Sequence, residues 1–153
     1  MNSLIVGGIL KRIYSDFDML TFSNRLHLQK IIYLVQAHGI NLGYTFSWYL
    51  HGPYSTELTR QAFNIDNFSN MKPIKFEDND VEKSFEEFIS KLGSNKNNDF
   101  LLEVASSIHL LRKMHPTKTK EQIIEDIEKK SESFKSKGTE IREVWKDIEG
   151  WLI

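Results

Sequence analysis

The chain contains no cysteine, and this absence excludes disulfide bonds and thiolate metal ligands. It also lacks a long hydrophobic run. The apolar stretch 4–10 is too short to cross a bilayer, and its basic flank, Lys11 and Arg12, follows it rather than precedes it. We therefore expect neither a signal peptide nor a membrane anchor, no membrane contact, and a cytoplasmic protein.

An excess of charge of one sign is missing as well. The net charge is -1, from 20 basic and 21 acidic residues, and neither half of the chain carries clustered Lys and Arg. Nucleic-acid binding depends on such clusters to neutralise phosphates, so a nucleic-acid partner is not expected. With only three prolines and eight glycines, the composition is that of an ordinary globular protein. Since no internal repeat or linker interrupts it, the sequence predicts one domain over 1–153.

Most of the chain shows the spacing of amphipathic helices. The clearest helix covers 23–39, where apolar residues recur at positions 28, 31, 32 and 35, with Ser23 as the expected cap and Gly39 as the expected stop. In the first helix, Gly7 and Gly8 either weaken the element or mark a close approach of another segment. Further helices are predicted over 3–14, 55–63, 81–92, 100–111, 119–127 and 141–152.

Two helix starts have specific capping signals. Ser55 is the expected cap of the short helix that carries Leu58, Ala62 and Phe63. Thr119 with Gln122 three residues later forms a capping box.

The period changes to two between residues 44 and 51, which indicates a half-buried strand. Its inner face is expected to hold Tyr44, Phe46, Trp48 and Leu50, and its outer face Thr45, Ser47, Tyr49 and His51. Gly52 and Pro53 are expected to end the strand, because proline cannot donate to a ladder. Ile74 and Phe76 alternate and are expected to supply the pairing strand. The predicted fold is mainly α (α+β): a single-domain bundle of six or seven helices with a two-stranded β ribbon.

Catalytic and metal motifs are not evident in the sequence. Among the five histidines, no two are spaced i, i+4 around a glutamate, so no metal site is expected. His51, Ser55 and Glu57 could be arranged as a hydrolase triad, but there is no nucleophile elbow and Ser55 fits better as a helix cap. No glycine-rich phosphate loop follows a strand. The sequence therefore predicts no enzyme and no cofactor.

The aromatic stretch around Gly52–Pro53 is the remaining candidate. Tyr49, His51 and Tyr54 lie on the outer face or at the turn, where amphipathic rings favour contact with a partner protein. The expected contact surface comprises Tyr49, His51, Gly52, Pro53, Tyr54 and Arg60. Gln29 and Lys30 lie off the apolar row of their helix, and they either support this surface or tie the helix to the ribbon.

An ordered series of residues runs through this region: Leu28–Gln29–Lys30, Tyr33, Gln36, Gly43, Phe46, Trp48 and Gly52–Pro53. The series resembles the Panacea domain, a SocA-like antitoxin-associated domain in which a leucine-glutamine-lysine helix leads to an aromatic segment ending in glycine-proline. Tyr54–Ser55 after the proline is similar to the family's YwgA-like relatives. The resemblance implies a mostly helical protein that neutralises a toxin by direct binding, in some cases delivering it to a protease, and it implies no enzyme.

Two functional hypotheses follow from the sequence. The leading one is a protein-binding module whose partner is a toxin. The alternative is a winged-helix-like transcription regulator, which would need a basic recognition helix. The candidate helix 55–64 has only Arg60 for phosphate contacts, and this favours the first hypothesis.

Overall fold

A computed structural model describes residues 2–18, 21–65 and 68–153. These ranges contain seven α-helices and one antiparallel two-stranded sheet. The helices are α1 (Asn2–Ile13), α2 (Phe22–Ala37), α3 (Thr56–Ala62), α4 (Asn79–Leu92), α5 (Asp99–Met114), α6 (Lys120–Lys130) and α7 (Gly138–Ile148), and the strands are β1 (Ser47–Tyr49) and β2 (Gly52–Tyr54). The predicted helical bundle with a small ribbon is confirmed. Nowhere in the described ranges is a helix both long enough and apolar enough to span a bilayer.

The helix boundaries follow local capping chemistry. Ser55 caps α3 by accepting from Leu58 N at 3.3 Å, and Thr119 and Gln122 form the predicted capping box of α6. The predicted cap of α2, Ser23, is wrong. Thr21 has the extended backbone of a cap and its hydroxyl accepts from Asn24 N, so the helix begins before Ser23.

The centre of the bundle is the pair α2 and α5. Every residue from 27 to 35 is buried, so α2 is enclosed on all sides, and α5 is buried along nine of its positions. One continuous hydrophobic cluster joins this pair to the other helices. The enclosed part of α2 includes the polar side chains of His27, Gln29 and Lys30, which need partners because an unpaired buried polar group is costly.

The segment 71–76 packs against α1 and does not form the predicted strand. Ile74 N donates to Gly8 O at 3.1 Å, and Phe76 N donates to Glu82 Oε1 at 3.0 Å. A Cβ on Gly8 would lie 2.9 Å from Ile74 Cβ and 3.0 Å from Ile74 N, so the glycine allows this main chain to approach α1. An alternation of only two apolar residues, Ile74 and Phe76, is too short to predict a strand reliably, and the contact with α1 determines the conformation of this segment.

The second strand is instead the segment immediately after the turn. Trp48 pairs with Pro53 and Tyr49 with Gly52. The strand that was expected to run from residue 44 to Gly52 and Pro53 is shorter, Ser47–Tyr49, and Gly52 and Pro53 belong to the strand that pairs with it. Both strands of a two-stranded ribbon are edge strands, where proline is tolerated. Gly52 has a φ of +98°, a conformation that favours glycine, and a Cβ there would make a tight contact of 3.3 Å with Glu103 Cγ on α5.

The two faces of β1 and the residues before it lie as the alternation predicts, except at the turn. Tyr44, Phe46 and Trp48 are half-buried against the core. Leu50 was expected beside them but is 70% exposed. The pairing of Tyr49 with Gly52 places Leu50 at the tip of the hairpin, where the strand alternation no longer applies.

Candidate docking surface on the hairpin

Two glutamines of α2 hold the two ends of the segment that contains the hairpin. Gln29 Oε1 accepts from Ser55 N at 2.8 Å, and its Nε2 donates to Ser55 O at 3.0 Å. Gln36 makes the same pair of bonds with Tyr44 N and Tyr44 O, at 2.9 and 3.1 Å. The glutamines are about two helical turns apart and so share a face of α2. They bind both main-chain groups of Tyr44 and Ser55, and this fixes the hairpin to α2.

A buried ion pair lies beneath the hairpin. Lys30 Nζ is 3.4 Å from Glu103 Oε1, and both side chains are largely enclosed. Glu103 belongs to α5 and also touches the position where a Cβ on Gly52 would be. Of the two interpretations offered by the sequence, the contacts of Gln29 and Lys30 are those of residues that tie the helix to the ribbon. Leu28, beside them in the motif, is a buried core residue.

Trp48 joins the hairpin to α5 and α6. Its Nε1 donates to Ser107 Oγ at 3.1 Å, and Lys130 Nζ lies 3.7 Å from the centroid of its ring. Burial lowers the pKa of Lys130, while the nearby Glu103 carboxylate acts in the opposite direction. A cation held over an indole ring at this distance is a favourable contact, so Trp48 is a structural anchor of the ribbon.

Tyr33 links the start of the ribbon to the far end of α5. Its ring meets the Phe46 ring edge-on at 5.1 Å, and its hydroxyl is 2.6 Å from His109 Nδ1. Burial raises the pKa of Tyr33, so the hydroxyl keeps its proton. Burial, followed by the charges of Lys113 and Arg112, lowers the pKa of His109. In the described ranges His109 Nδ1 is the only hydrogen-bond partner of the Tyr33 hydroxyl, so the arrangement that satisfies the hydroxyl proton is donation to Nδ1 of a neutral ring.

The outer side of the hairpin displays large apolar side chains. Tyr49 is 60% exposed and Leu50 70%, and Phe22, at the first position of α2, is 59% exposed. The His51 ring lies edge-on to Phe22 with centroids 5.8 Å apart, and the Tyr49 and Tyr54 rings are 6.0 Å apart. We call the side chains of Phe22, Tyr49, Leu50, His51 and Tyr54 the hairpin face. They surround an open cleft of about 460 Å³.

Five of the six predicted contact residues line this cleft: Tyr49, His51, Gly52, Pro53 and Tyr54. Gly52 and Pro53 are buried, so they shape the hairpin more than they display a surface. Tyr54 is half-buried, and its hydroxyl accepts from Thr59 Oγ1 at 2.8 Å. Arg60 does not line the cleft. It is exposed on α3, about one turn after Thr56, which does line it.

Five lining residues were not predicted as contacts: the polar Ser47 and Thr56 and the apolar Phe22, Leu26 and Leu50. An apolar residue near the start of a helix resembles a core residue in sequence, and only the fold brings Phe22 beside His51. Leu50 could have been found, because a turn at Leu50–His51 displays its first side chain.

Basic side chains border the apolar surface. The Arg25 guanidinium lies 6.0 Å from the Phe22 ring centroid and 5.8 Å from that of Phe63. Phe63, predicted on the apolar face of its helix, is 60% exposed just after α3 ends. The apolar surface thus continues from the hairpin to the end of α3. Arg25 lies within this surface. On α3, Arg60 is an exposed cation and Glu57 is an exposed carboxylate.

The residues of the conceivable hydrolase triad have other contacts. Ser55 Oγ caps α3, the His51 ring packs on Phe22, and Glu57 Oε1 accepts from Gln61. In the described ranges no three His, Asp or Glu side chains come together in a way that could hold a metal ion.

Comparison with protein-family models, with curated proteins and with solved structures finds no match to this chain. The site is therefore characterised by its own chemistry. It is a set of exposed aromatic and aliphatic side chains on a hairpin that α2, α5 and α6 hold in place.

Proposed function

We propose that this chain is a protein-binding module of the Panacea type, which neutralises a partner toxin by direct binding through the hairpin face. The observation that carries the proposal is the contiguous exposure of Phe22, Tyr49 and Leu50 on a braced hairpin. Exposed apolar patches on soluble domains commonly mark interaction sites. Tyrosine is also enriched among the residues that dominate binding free energy at interfaces.

The bracing of the hairpin supports the same proposal. Gln29 and Gln36 bind the main chain at both ends of the segment, and the Lys30–Glu103 pair lies beneath it. A contact surface that is ordered before binding loses less conformational entropy when the partner arrives. This arrangement favours a dedicated recognition surface.

The chemistry around the cleft indicates what the partner would present. An apolar side chain or short apolar segment fits the cleft between Phe22, Leu50 and Tyr54. Arg60, exposed on α3, favours an acidic residue on the partner beside that segment, because complementary charge speeds association and fixes orientation.

The resemblance of the α2 motif and the hairpin to the Panacea domain supports a toxin as the partner, and a protease system as a second partner to which a bound toxin is delivered. The proposal places this activity in the cytoplasm. It assigns binding and no catalysis, and it needs no cofactor, membrane or nucleic acid.

Growth rescue tests the proposal. Each reading frame that flanks the gene is expressed alone and then together with this chain, and we expect one of them to arrest growth when alone and to be rescued by this chain. The Tyr49→Ala/Leu50→Ala variant, called the hairpin double variant below, should fail to rescue. The matched control is Leu4→Ala/Met114→Ala, which truncates two exposed apolar residues outside the hairpin face and should rescue fully. Full rescue by the hairpin double variant would refute the proposed surface, and no rescue by the unaltered chain would refute toxin neutralisation.

A further inference from the structure

A second cleft, of about 590 Å³, lies where the C-terminal turn of α5 meets residues 36–37 and 152–153. It shares no lining residue with the hairpin cleft. Five basic or imidazole side chains line it: His109, Arg112, Lys113, His115 and Lys118. No aspartate or glutamate side chain is part of this lining. We call it the basic cleft.

Most of these five side chains have no carboxylate partner. In the described ranges, Arg112, Lys113 and His115 make no ion pair, and Lys118 alone is paired, at 2.8 Å from Asp126 Oδ2. Cations in the last turn of a helix stabilise its dipole, which explains Arg112 and Lys113 in part. It does not explain why His115 and Lys118, beyond the helix, face the same cavity.

His109 adds a fixed hydrogen-bond donor to the basic cleft. Tyr33 donates to its Nδ1, so the neutral ring carries its proton on Nε2. In the part of the chain that the structure describes, Nε2 has no hydrogen-bond partner. Every fully enclosed side-chain nitrogen or oxygen in that part of the chain does have a partner, so Nε2 is not fully enclosed. Nε2 is therefore open to solvent, on a residue that lines the cleft.

We propose that the basic cleft binds a small molecule that carries a phosphate group. Convergent donors from a guanidinium, an ammonium and imidazole rings suit a phosphate oxyanion, which accepts several charge-assisted hydrogen bonds. The cavity volume is in the range of small-molecule sites and exceeds what a single phosphate fills. Ala37, Pro116 and Leu152 supply apolar wall for the rest of the ligand.

Pyrophosphate is the probe for a direct test. The whole chain is titrated with pyrophosphate at constant ionic strength set by sodium chloride, and amide chemical shifts are followed by NMR. We expect saturable shifts at residues 109–118, with a dissociation constant of roughly 1 mM, as befits a fragment of the ligand. Arg112→Gln/Lys113→Gln should bind about tenfold more weakly or worse, because each lost charge-assisted bond contributes on this scale.

The control variant removes the same charge from other helix ends. Lys91 and Lys129 lie exposed in the last turns of α4 and α6, so Lys91→Gln/Lys129→Gln should leave the affinity unchanged. Arg112 also lies over the Trp145 ring, so Lys113→Gln alone is measured as the variant that keeps this contact. Non-saturable shifts, or an equal loss in the Lys91/Lys129 control, would show that only general charge attraction operates and would overturn the proposal.

Tyr33 is a positioning residue in this site, since it acts through His109. Tyr33→Phe should weaken pyrophosphate binding severalfold and should also change the ring-nitrogen chemical shifts of His109 from those of a single Nε2–H tautomer to those of a mixture. Loss of packing alone would leave the tautomer unchanged. If His109 stays in the Nε2–H form in this variant, the role assigned to Tyr33 is wrong.

Discussion

Replacing Gln29 by Ala should destabilise the chain more than the same replacement at Gln36, although both side chains make the same two main-chain bonds. Ser55 is 2% exposed, so Gln29→Ala leaves its buried N–H without a partner, while the Ser55 C=O keeps Thr59 N and Thr59 Oγ1 as donors. One unpaired buried N–H costs about 1–3 kcal/mol, so we expect a loss of about 2 kcal/mol. Tyr44 is half-buried, so water can replace Gln36, and we expect a loss of about 1 kcal/mol there.

The assay is urea unfolding at equilibrium, supported by thermal melts. For a chain of this size Gln29→Ala should lower the Tm by roughly 4–8 °C and Gln36→Ala by roughly 2–4 °C. Equal losses in the two variants would contradict the argument, because burial of the main-chain partner would then not set the cost. A near-zero loss for Gln29→Ala would show that Ser55 finds other partners and that the glutamine does not brace the hairpin.

Three further perturbations test the packing around α1 and the ribbon. Trp48→Ala should lower the unfolding free energy by about 3 kcal/mol in urea titrations, at the low end for tryptophan because the ring is half-buried. Gly8→Ala should destabilise by about 1 kcal/mol, since its Cβ would lie 2.9 Å from Ile74 Cβ. Gly7→Ala should be tolerated, because its Cβ would meet only the flexible end of the Met71 side chain. Equal effects of the two variants would contradict this packing. Hydrogen bonds from Arg12 and from Phe76 N lower the pKa of Glu82 from 4.5 to about 2. Ionised Glu82 therefore stabilises the fold above pH 4.5, and this stabilisation is lost as the pH falls towards 2. Glu82→Gln should make the unfolding free energy depend less on pH in this range, and an unchanged pH dependence would refute the assignment.

Much of the fold follows from short-range patterns in the sequence. The 3.6-residue spacing locates the helices, and the capping signals at Ser55 and Thr119 locate two of their starts. The alternation before the turn identifies the inner and outer faces as far as Trp48. These features depend on neighbours in sequence, which is why they can be predicted without the structure.

The features that were missed depend on which segments meet. The second strand was assigned to Ile74 and Phe76, whereas the ribbon closes on itself because Pro53 can occupy an edge strand. Phe22 joins the docking surface only because the fold sets α2 beside the hairpin tip. The hydrogen-bond partners of Gln29 and Gln36 also could not be predicted. Polar residues on a buried helix indicate that partners are needed, but the sequence does not identify those partners.

The central claim is that the hairpin face is the surface through which the chain binds its partner. It is tested most directly by titrating the toxin identified by growth rescue into the purified chain, and into the hairpin double variant and the Leu4→Ala/Met114→Ala control, by calorimetry. Tyr49 and Leu50 are well exposed, so all three proteins should have the same melting temperature within a few degrees. We expect the hairpin double variant to bind at least roughly thirtyfold more weakly, the equivalent of about 2 kcal/mol, with the control unchanged. Equal affinity in all three proteins would contradict the claim.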